Sequence, residues 1–271
     1  MDKMGSINIF DSEEIIAVGD IHGEVHKLEG LIKKIWKFLD NLKCHLVFCG
    51  DYFDRGVNSP RVFEVLMELR DKKPDQIFFI KGNHEEMVWA TLVDKEINWL
   101  NWTEKTLDQM VTHWDIKHPD EGGEDGYAPF GYFDWYDRED IAVVEKVCEE
   151  KGLLKFLEEL LPYYENKEVI CSHAPLNRHS CDSFFERNGN RKNILDSLNL
   201  QWTFIKEAKP QLVIPGIDKF LICGHQCPQG ADKVDPRIFN KRAFIDTGCG
   251  LHPKRPLTAF KYPSRKTFQE F

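Results

Sequence analysis

The sequence predicts an α/β fold in which neighbouring strands run parallel. Three short apolar runs, at 15–18, 45–49 and 76–80, alternate with three segments whose apolar residues recur at helical spacing. This order of strand and helix is typical of parallel sheets that are covered by helices. The 271 residues are enough for one large domain, and no internal repeat or low-complexity linker divides them.

The helices of this first part are predicted from the spacing of their apolar residues. Residues 25–42 carry an apolar stripe made of Leu28, Leu31, Ile32, Ile35, Trp36 and Leu39. Ser59 followed by Pro60 predicts the N-cap and the first position of a second helix, which continues to about residue 71. A third helix is predicted over 85–93, directly after the third strand.

The pattern changes between residues 95 and 164. Aromatic residues become frequent there: Trp99, Trp102, Trp114, Tyr127, Phe130, Tyr132, Phe133, Trp135 and Tyr136. One or two amphipathic helices are predicted over 140–161, so we expect a mostly helical, aromatic-rich insertion at 95–164 within a single domain of residues 1–271. The aromatic residues form either a small core, as aromatic stripes usually do, or a lid over a substrate.

Strand-like runs return at 169–172, 220–223 and 243–245. Between the first two, the chain is polar and basic, which predicts a surface loop. The segment 257–260 predicts an edge strand, after which the chain is expected to fray.

Composition argues against several classes of protein. Apolar residues make up 42% and charged residues 30%, as in folded globular chains. The formal net charge of −9 argues against a general nucleic-acid coat or a binder of anionic membranes. No apolar run approaches the ~18 residues of a membrane helix, and the first residues lack a signal-peptide pattern. Because the eight cysteines form no CxxC pair, we expect reduced cysteines and a cytoplasmic location.

Six apolar runs end in residues that can bind a metal or act in an active site. The first three lead into Gly19-Asp20-Ile21-His22-Gly23, Gly50-Asp51-Tyr52-Phe53-Asp54-Arg55-Gly56 and Gly82-Asn83-His84-Glu85, and the last three into His173, His225 and Asp246. Residues two apart on an extended chain point the same way, so Asp20 and His22 can face one ion. Carboxylate, imidazole and amide ligands suit Mn²⁺, Fe or Zn²⁺, and the lack of thiolate ligands argues against structural zinc.

The first three of these blocks resemble the signature blocks of the metallophosphoesterase superfamily. The Asp54-Arg55-Gly56 and Asn83-His84-Glu85 endings are similar to those of the phosphoprotein phosphatase family of serine/threonine phosphatases, in its bacterial and phage type. Ser172-His173-Ala174-Pro175 and Gly224-His225 resemble the remaining ligand motifs of that family. The blocks extend from residue 19 to residue 225, so the resemblance covers most of the chain.

The resemblance implies a β-sandwich of mixed sheets flanked by helices, with two divalent metal ions at its edge. One ion would be bound by Asp20, His22 and Asp51, and the other by Asp51, Asn83, His173 and His225. The ions expected are Mn²⁺, with Fe or Zn²⁺ as alternatives. They would polarise the phosphoryl group and supply the hydroxide that attacks phosphorus in line, without a phosphoenzyme.

The resemblance also implies catalytic roles. His84 would protonate the leaving alkoxide, Asp54 would orient His84 and favour its cationic form, and Arg55 would bind phosphate oxygens through its planar fork of donors. Phosphate contacts are further expected from Asn83 and from Arg191.

Two departures from the family pattern bear on the substrate. The last block reads Gly224-His225-Gln226-Cys227 without a second histidine, as in the serine/threonine phosphatases. Bacterial members often have an arginine closely after a tryptophan in this part of the chain, whereas Trp202 is followed here by Thr203 and Phe204. The phosphate-binding arginine is therefore either missing or supplied from elsewhere in the chain, with Arg187, Arg191 and Lys206 as the candidates.

The resemblance implies an enzyme that hydrolyses phosphoserine or phosphothreonine, or else phosphotyrosine, in proteins. The alternatives are a dinucleoside polyphosphate hydrolase or a nucleic-acid-end phosphatase, and a phosphatase-like binding protein without catalysis. The last is disfavoured because all six expected metal ligands and the pair of His84 and Asp54 are present. The expected partner is a phosphorylated protein or peptide, with no membrane; nucleic acid is disfavoured and a nucleotide substrate remains open.

Overall fold

Two five-stranded mixed sheets are formed by the part of the chain that the computed structural model describes, namely residues 10–117, 136–175, 218–230 and 232–271. The first sheet has the order β10-β9-β1-β2-β3 and the second the order β4-β5-β6-β8-β7. The strands are β1 (Glu14–Val18), β2 (Cys44–Phe48), β3 (Ile77–Phe79), β4 (Tyr163–Glu165), β5 (Val169–Ser172), β6 (Phe220–Cys223), β7 (Arg237–Ile238), β8 (Arg242–Phe244), β9 (Leu257–Tyr262) and β10 (Lys266–Glu270).

The predicted parallel arrangement is confirmed in the first sheet. Strand β1 runs parallel to β2, with Ile16 beside Leu46, and β2 runs parallel to β3. The prediction for the C-terminal segment is wrong. Strand β9 lies inside the sheet, antiparallel to both β1 and β10, and β10 forms the edge where fraying was expected. Strand β10 completes a hairpin with β9, and its Phe268 packs against the core that lies between this sheet and the helices, here called the helix-side core.

The two faces of the first sheet contribute to two different cores. Alternate residues of β1 divide between them, since Ile15 and Ala17 belong to the core shared with the second sheet, whereas Ile16 and Val18 belong to the core shared with the helices. Residues of β5 and β6, among them Cys171 and Ile222, complete the first of these cores. The fold is therefore a sandwich of two mixed sheets flanked by helices, and the predicted fold class is confirmed.

Six α-helices are described in these ranges: α1 (Val25–Ile35), α2 (Ser59–Lys72), α3 (Asn83–Leu92), α4 (Leu100–His113), α5 (Arg138–Glu150) and α6 (Leu153–Glu159). Short 3₁₀ segments cover Trp36–Asp40 and Ile97–Trp99. The predicted N-cap of α2 is wrong by one residue, because the side chain of Asn58 accepts the hydrogen bond from the Arg61 amide. Helix α3 begins two residues earlier than predicted, so Asn83 and His84 lie in its first turn.

Helices α4, α5 and α6 all lie within the segment 95–164. Tyr136 is buried and Trp114 packs against the helix-side core, whereas Trp102 is exposed. Tyr127, Phe130, Tyr132, Phe133 and Trp135 lie outside the described residues, so the choice between a core and a lid stays open. The boundaries 1–271 and 95–164 stay predictions. Among the described helices, none has the length and apolar content that crossing a bilayer requires.

Candidate active site

Loops at the carboxyl ends of five strands position the predicted site residues. Asp20 and His22 follow β1, and Asp51, Asp54 and Arg55 follow β2. Asn83 and His84 open α3 after β3, His173 follows β5, and His225 follows β6. Parallel neighbours end at the same edge of a sheet, so this order brings the side chains together.

The Asp51 carboxylate lies at the centre of the site. Its Oδ2 lies 3.5 Å from His22 Nε2 and 3.9 Å from His84 Nε2, and its Oδ1 lies 3.3 Å from His173 Nε2. Two groups of three side chains could each hold a metal ion: His22, Asp51 and His84, and Asp51, His173 and His225. Asp51 belongs to both groups, which is the arrangement that a bridging ligand requires.

Burial opposes the ionisation of Asp51, yet its pKa is held well below its usual range. In the acidic range where this carboxyl would take up a proton, the surrounding histidines, led by His173 and then His84, are cationic, and their attraction for the negative charge outweighs burial. The carboxylate is thus available as an anionic ligand.

Backbone carbonyls orient two of the imidazoles for metal binding. His22 Nδ1 lies 2.9 Å from the Phe53 carbonyl oxygen, and His173 Nδ1 lies 2.8 Å from that of Cys49. An Nδ1–H donated to a carbonyl leaves the Nε2 lone pair free to bind a cation. Burial lowers the pKa of both histidines and favours the neutral form that binds metal.

Three electron-pair donors meet at His173. Its Nε2 lies 3.0 Å from Asn83 Oδ1 and 3.2 Å from His225 Nδ1. Burial, followed by the neighbouring His173, lowers the pKa of His225 to about 4, so His225 is also neutral near pH 7. These donors suit a cation of the Mn²⁺, Fe or Zn²⁺ type.

Asp20 is near these residues but belongs to neither group of three. Both of its carboxylate oxygens accept a hydrogen bond from the His225 amide, at 3.0 and 3.1 Å. Burial, followed by the carboxylates of Asp246 and Asp51, raises the pKa of Asp20 well above its usual value. A concentration of buried carboxylates is what a bound cation would neutralise, so the residues present fit a metal site.

The side chains of His84 and Asp54 form a buried pair. His84 Nδ1 lies 2.5 Å from Asp54 Oδ2, and both side chains are almost fully buried. Burial disfavours the cationic form of His84, but Asp51 and the hydrogen bond to Asp54 outweigh it and raise the pKa of His84. The Nε2 atom of His84 faces Asp51 Oδ2 at 3.9 Å, on the side of the ring that points into the site.

The guanidinium of Arg55 lies across the two histidines. Its Nη1 lies 2.9 Å from His22 Nε2, and its Nη2 lies 3.3 Å from His84 Nε2. The donors of Arg55 therefore face the same region as the predicted ligands, where a phosphate oxygen would meet them.

Backbone strain is concentrated at the site. Of the eight non-glycine residues with positive φ in the described part of the chain, five are predicted site residues: His22, Asp51, Asp54, Arg55 and His225. This conformation costs about 1 kcal/mol or more per residue and persists where the surrounding structure enforces it. Its concentration here favours a functional role for these loops.

Two glycines allow the backbone to approach the carboxylates. A Cβ atom at Gly82 would lie 2.3 Å from Asp51 Oδ1, and one at Gly224 would lie 2.2 Å from Asp20 Oδ1. A side chain at either position would displace a carboxylate of the site.

Glu85 has a structural role that is not among the predictions from the sequence, although its position directly after His84 points to it. The buried Glu85 carboxylate accepts hydrogen bonds from the amides of Asp51, Tyr52 and Gly82, at 2.7 to 2.8 Å. Glu85 thus fixes the backbone that carries Asp51. Helix α4 also contributes contacts to the site that the sequence does not predict. The predicted phosphate contacts Arg187, Arg191 and Lys206, and Trp202, lie outside the described residues.

Comparison with known proteins identifies relatives of this arrangement. A model of the calcineurin-like phosphoesterase family matches residues 14–229. Serine/threonine-protein phosphatase 7 of Arabidopsis thaliana is 41% identical over 85 residues, which are 31% of this chain and 20% of that protein. Shewanella-like protein phosphatase 1 of Plasmodium berghei is 36% identical over 88 residues, which are 30% of this chain and 24% of that protein. The chain matches less than a quarter of the length of either relative.

Solved structures share the fold. A protein provisionally described as a diadenosine tetraphosphatase superimposes with a TM-score of 0.55 and 16% identity, over 97% of this chain and 95% of that chain. The cold-active protein-tyrosine phosphatase of a psychrophilic Shewanella species has a TM-score of 0.53 and 17% identity, over 100% of this chain and 86% of that chain. At these identities the likeness is one of fold alone.

Proposed function

Because the chain belongs to the calcineurin-like phosphoesterase family, we propose that it is a metal-dependent phosphomonoesterase that dephosphorylates proteins at serine and threonine. The observation that carries this proposal is the sharing of Asp51 between two groups of potential ligands, directly beside the pair of His84 and Asp54. The first feature suits a two-ion clamp on a phosphoryl group, and the second suits protonation of a leaving group.

The proposed metal centre uses six residues. One ion would be held by Asp20, His22 and Asp51, and the other by Asp51, Asn83, His173 and His225. Mn²⁺ is the ion proposed, with Fe or Zn²⁺ as alternatives of similar ligand preference. Divalent ions bound here would polarise the phosphoryl oxygens and lower the pKa of a bound water.

Arg55 is the proposed anchor for the substrate. A guanidinium offers two parallel N–H donors to phosphate oxygens. In the present arrangement one donor faces the Nε2 lone pair of His22, so His22 can bind a cation only when Arg55 releases it. The released fork is then available to phosphate, and Asn83 is proposed as a second contact.

His84 is the proposed proton donor. Its Nδ1 is held by Asp54, and the raised pKa keeps a larger cationic fraction near pH 7 than a free imidazole would have. The Nε2–H can then pass a proton to the seryl or threonyl oxygen as the P–O bond breaks. This step matters most when the leaving group is a strong base, as an alkoxide is.

The substrate class rests on local sequence similarity to serine/threonine phosphatases. Hydrolysis of a dinucleoside polyphosphate remains the alternative, and the fold shared with a diadenosine tetraphosphatase does not favour it over a protein substrate.

A substrate panel tests the proposal. The Mn²⁺-loaded enzyme is assayed against phosphoserine, phosphothreonine and phosphotyrosine peptides, diadenosine tetraphosphate and 5′-phosphorylated RNA. We expect the highest kcat/KM for phosphoserine or phosphothreonine peptides. A higher kcat/KM for diadenosine tetraphosphate or RNA ends would replace the proposed substrate, and hydrolysis of no phosphoester would overturn the proposed activity.

A further inference from the structure

A threonine of helix α4 makes a direct contact with the catalytic pair. The hydroxyl of Thr106 donates a hydrogen bond to Asp54 Oδ1, and the Thr106 hydroxyl oxygen accepts one from the Asp54 amide at 3.0 Å. Thr106 is fully buried. Its hydroxyl therefore links the backbone and the carboxylate of one residue.

The acceptor of the Thr106 hydroxyl differs from those of two other buried threonines, Thr91 in α3 and Thr103 in α4. Thr91 donates to the Met87 carbonyl and Thr103 to the Trp99 carbonyl, four residues earlier in each helix. That bond is the usual one for a threonine inside a helix. Thr106 has a single O–H and directs it instead to a residue 52 positions away.

Helix α4 holds the rest of the same loop as well. Lys105 Nζ donates to the Arg55 carbonyl at 2.6 Å. Gln109 donates to the Gly56 carbonyl at 2.9 Å and accepts from the Ser59 amide at 2.7 Å. Consecutive turns of one helix thus bind the strained segment that carries Asp54 and Arg55.

We propose that Thr106 is a positioning residue for phosphoester hydrolysis, acting through Asp54 on His84. The proposal rests on the proposed function, in which His84 is the proton donor. Thr106 occupies Oδ1 of the carboxylate and thereby directs Oδ2 to His84 Nδ1. Among the described residues, no other donor is hydrogen-bonded to Oδ1.

The physical reason is the shallow torsional preference of an aspartate carboxylate. The χ2 angle of aspartate is broad, so rotamer preference alone does not fix which direction each oxygen faces. A hydrogen bond to each oxygen fixes it, and the link to the Asp54 amide restrains χ1 as well. Without Thr106, the carboxylate can rotate away from His84 and leave its ring less well oriented.

The test compares matched variants on one helix. Thr106→Val removes the hydroxyl and keeps the branched shape, whereas Thr106→Ser keeps the hydroxyl. Thr103→Val is the control, because Thr103 is buried one turn earlier and contacts Thr91 and a helix carbonyl rather than the catalytic pair. If valine at position 106 prevents folding, Thr106→Ala with Thr103→Ala as its control carries the same comparison.

With a phosphoserine peptide and Mn²⁺, we expect Thr106→Val to lower kcat about tenfold or more with KM unchanged. Thr106→Ser and Thr103→Val should keep the wild-type kcat. In a His84→Ala background, Thr106→Val should lower kcat no further, because the residue it positions is absent. Equal kcat values in Thr106→Val and Thr103→Val would overturn the proposal. So would a loss of kcat from Thr106→Val in the His84→Ala background as large as its loss in the wild-type background.

A second readout needs no turnover. The Nδ1–H proton of a histidine strongly bonded to a carboxylate resonates far downfield in proton NMR, and its absence from His84→Ala assigns it. Thr106→Val should broaden or shift this resonance, whereas Thr103→Val should leave it in place. An unchanged resonance in Thr106→Val would contradict the proposal, even if the protein hydrolysed no phosphoester and the proposed function had failed.

Discussion

His84 and Asp54 are joined by a contact of 2.5 Å between Nδ1 and Oδ2, within a site where both side chains are almost fully buried. Asp54 lies in the loop after β2, whereas His84 lies in the first turn of α3. The contact therefore fixes two segments of the site relative to each other. It also decides which ring nitrogen of His84 remains available for chemistry.

Replacement of His84 tests its role as proton donor. We expect His84→Ala to lower kcat by about 10²–10⁴ on a phosphoserine peptide, whose alkoxide leaves poorly without a proton. The loss should be smaller with p-nitrophenyl phosphate, because p-nitrophenolate is a good leaving group. Steady-state kinetics on both substrates measure the difference.

His26→Ala is the control for this comparison, because His26 is exposed on α1 and makes no contact with the pair of His84 and Asp54. It should keep wild-type rates on both substrates. An equal loss on the peptide and on p-nitrophenyl phosphate in His84→Ala would count against proton donation.

Glu85→Gln is expected to destabilise the backbone that carries Asp51. The carboxylate accepts three backbone N–H bonds, and a glutamine must turn an N–H₂ group toward at least one of them. We expect a loss of about 1–3 kcal/mol in the free energy of unfolding by urea. Affinity for Mn²⁺ should fall about 10- to 100-fold, because Glu85 holds the backbone of the proposed ligand Asp51 in place.

The neighbouring Glu86→Gln is the matched control. Glu86 has a partly exposed side chain that pairs with Lys81 at 3.2 Å, so the loss of its charge should change the free energy of unfolding by less than about 1 kcal/mol. Equal effects of the two variants on unfolding and on Mn²⁺ affinity would refute the supporting role of Glu85.

His45 is expected to make stability depend on pH. Burial lowers the pKa of His45 in the folded state, and its Nδ1 lies 2.7 Å from the Tyr164 hydroxyl. Below about pH 6.5 the unfolded chain binds more protons at this residue than the folded chain does, so the free energy of unfolding falls as pH falls. Above that value both states hold a neutral ring, and the contribution is constant.

Urea unfolding at about pH 7.5 and about pH 5 measures this contribution. The decline in stability between the two values should be smaller in His45→Gln than in the wild type, while the exposed His26→Gln should decline as the wild type does. The same decline in all three proteins would show that His45 is not responsible.

The grouping of several site residues could be predicted because they directly follow the carboxyl ends of neighbouring strands. The apolar runs that precede Asp20, Asp51 and Asn83 form neighbouring strands of one sheet, and their order follows from general rules of α/β topology. The C-terminal hairpin was missed because an apolar run of four residues does not reveal its partners. Strand β9 is an inner strand only because β10 pairs with its other side.

The contacts that orient the site could not be predicted from the sequence. The amphipathic pattern of α4 indicates which face is buried, but not that Thr106 meets Asp54 across 52 positions. The positive φ of Asp51, Asp54 and Arg55 was equally hidden, because no glycine marks these positions. Both features depend on tertiary packing rather than on local preference.

The most direct test of the account is the dependence of hydrolysis on metal at the site shared by Asp51. Metal-free protein is assayed with p-nitrophenyl phosphate in chelator and then titrated with Mn²⁺, while calorimetry follows binding. We expect no hydrolysis in chelator, recovery as two ions bind per chain, and loss of both binding and recovery in Asp51→Ala. Hydrolysis at the full rate by the chelated protein would contradict it.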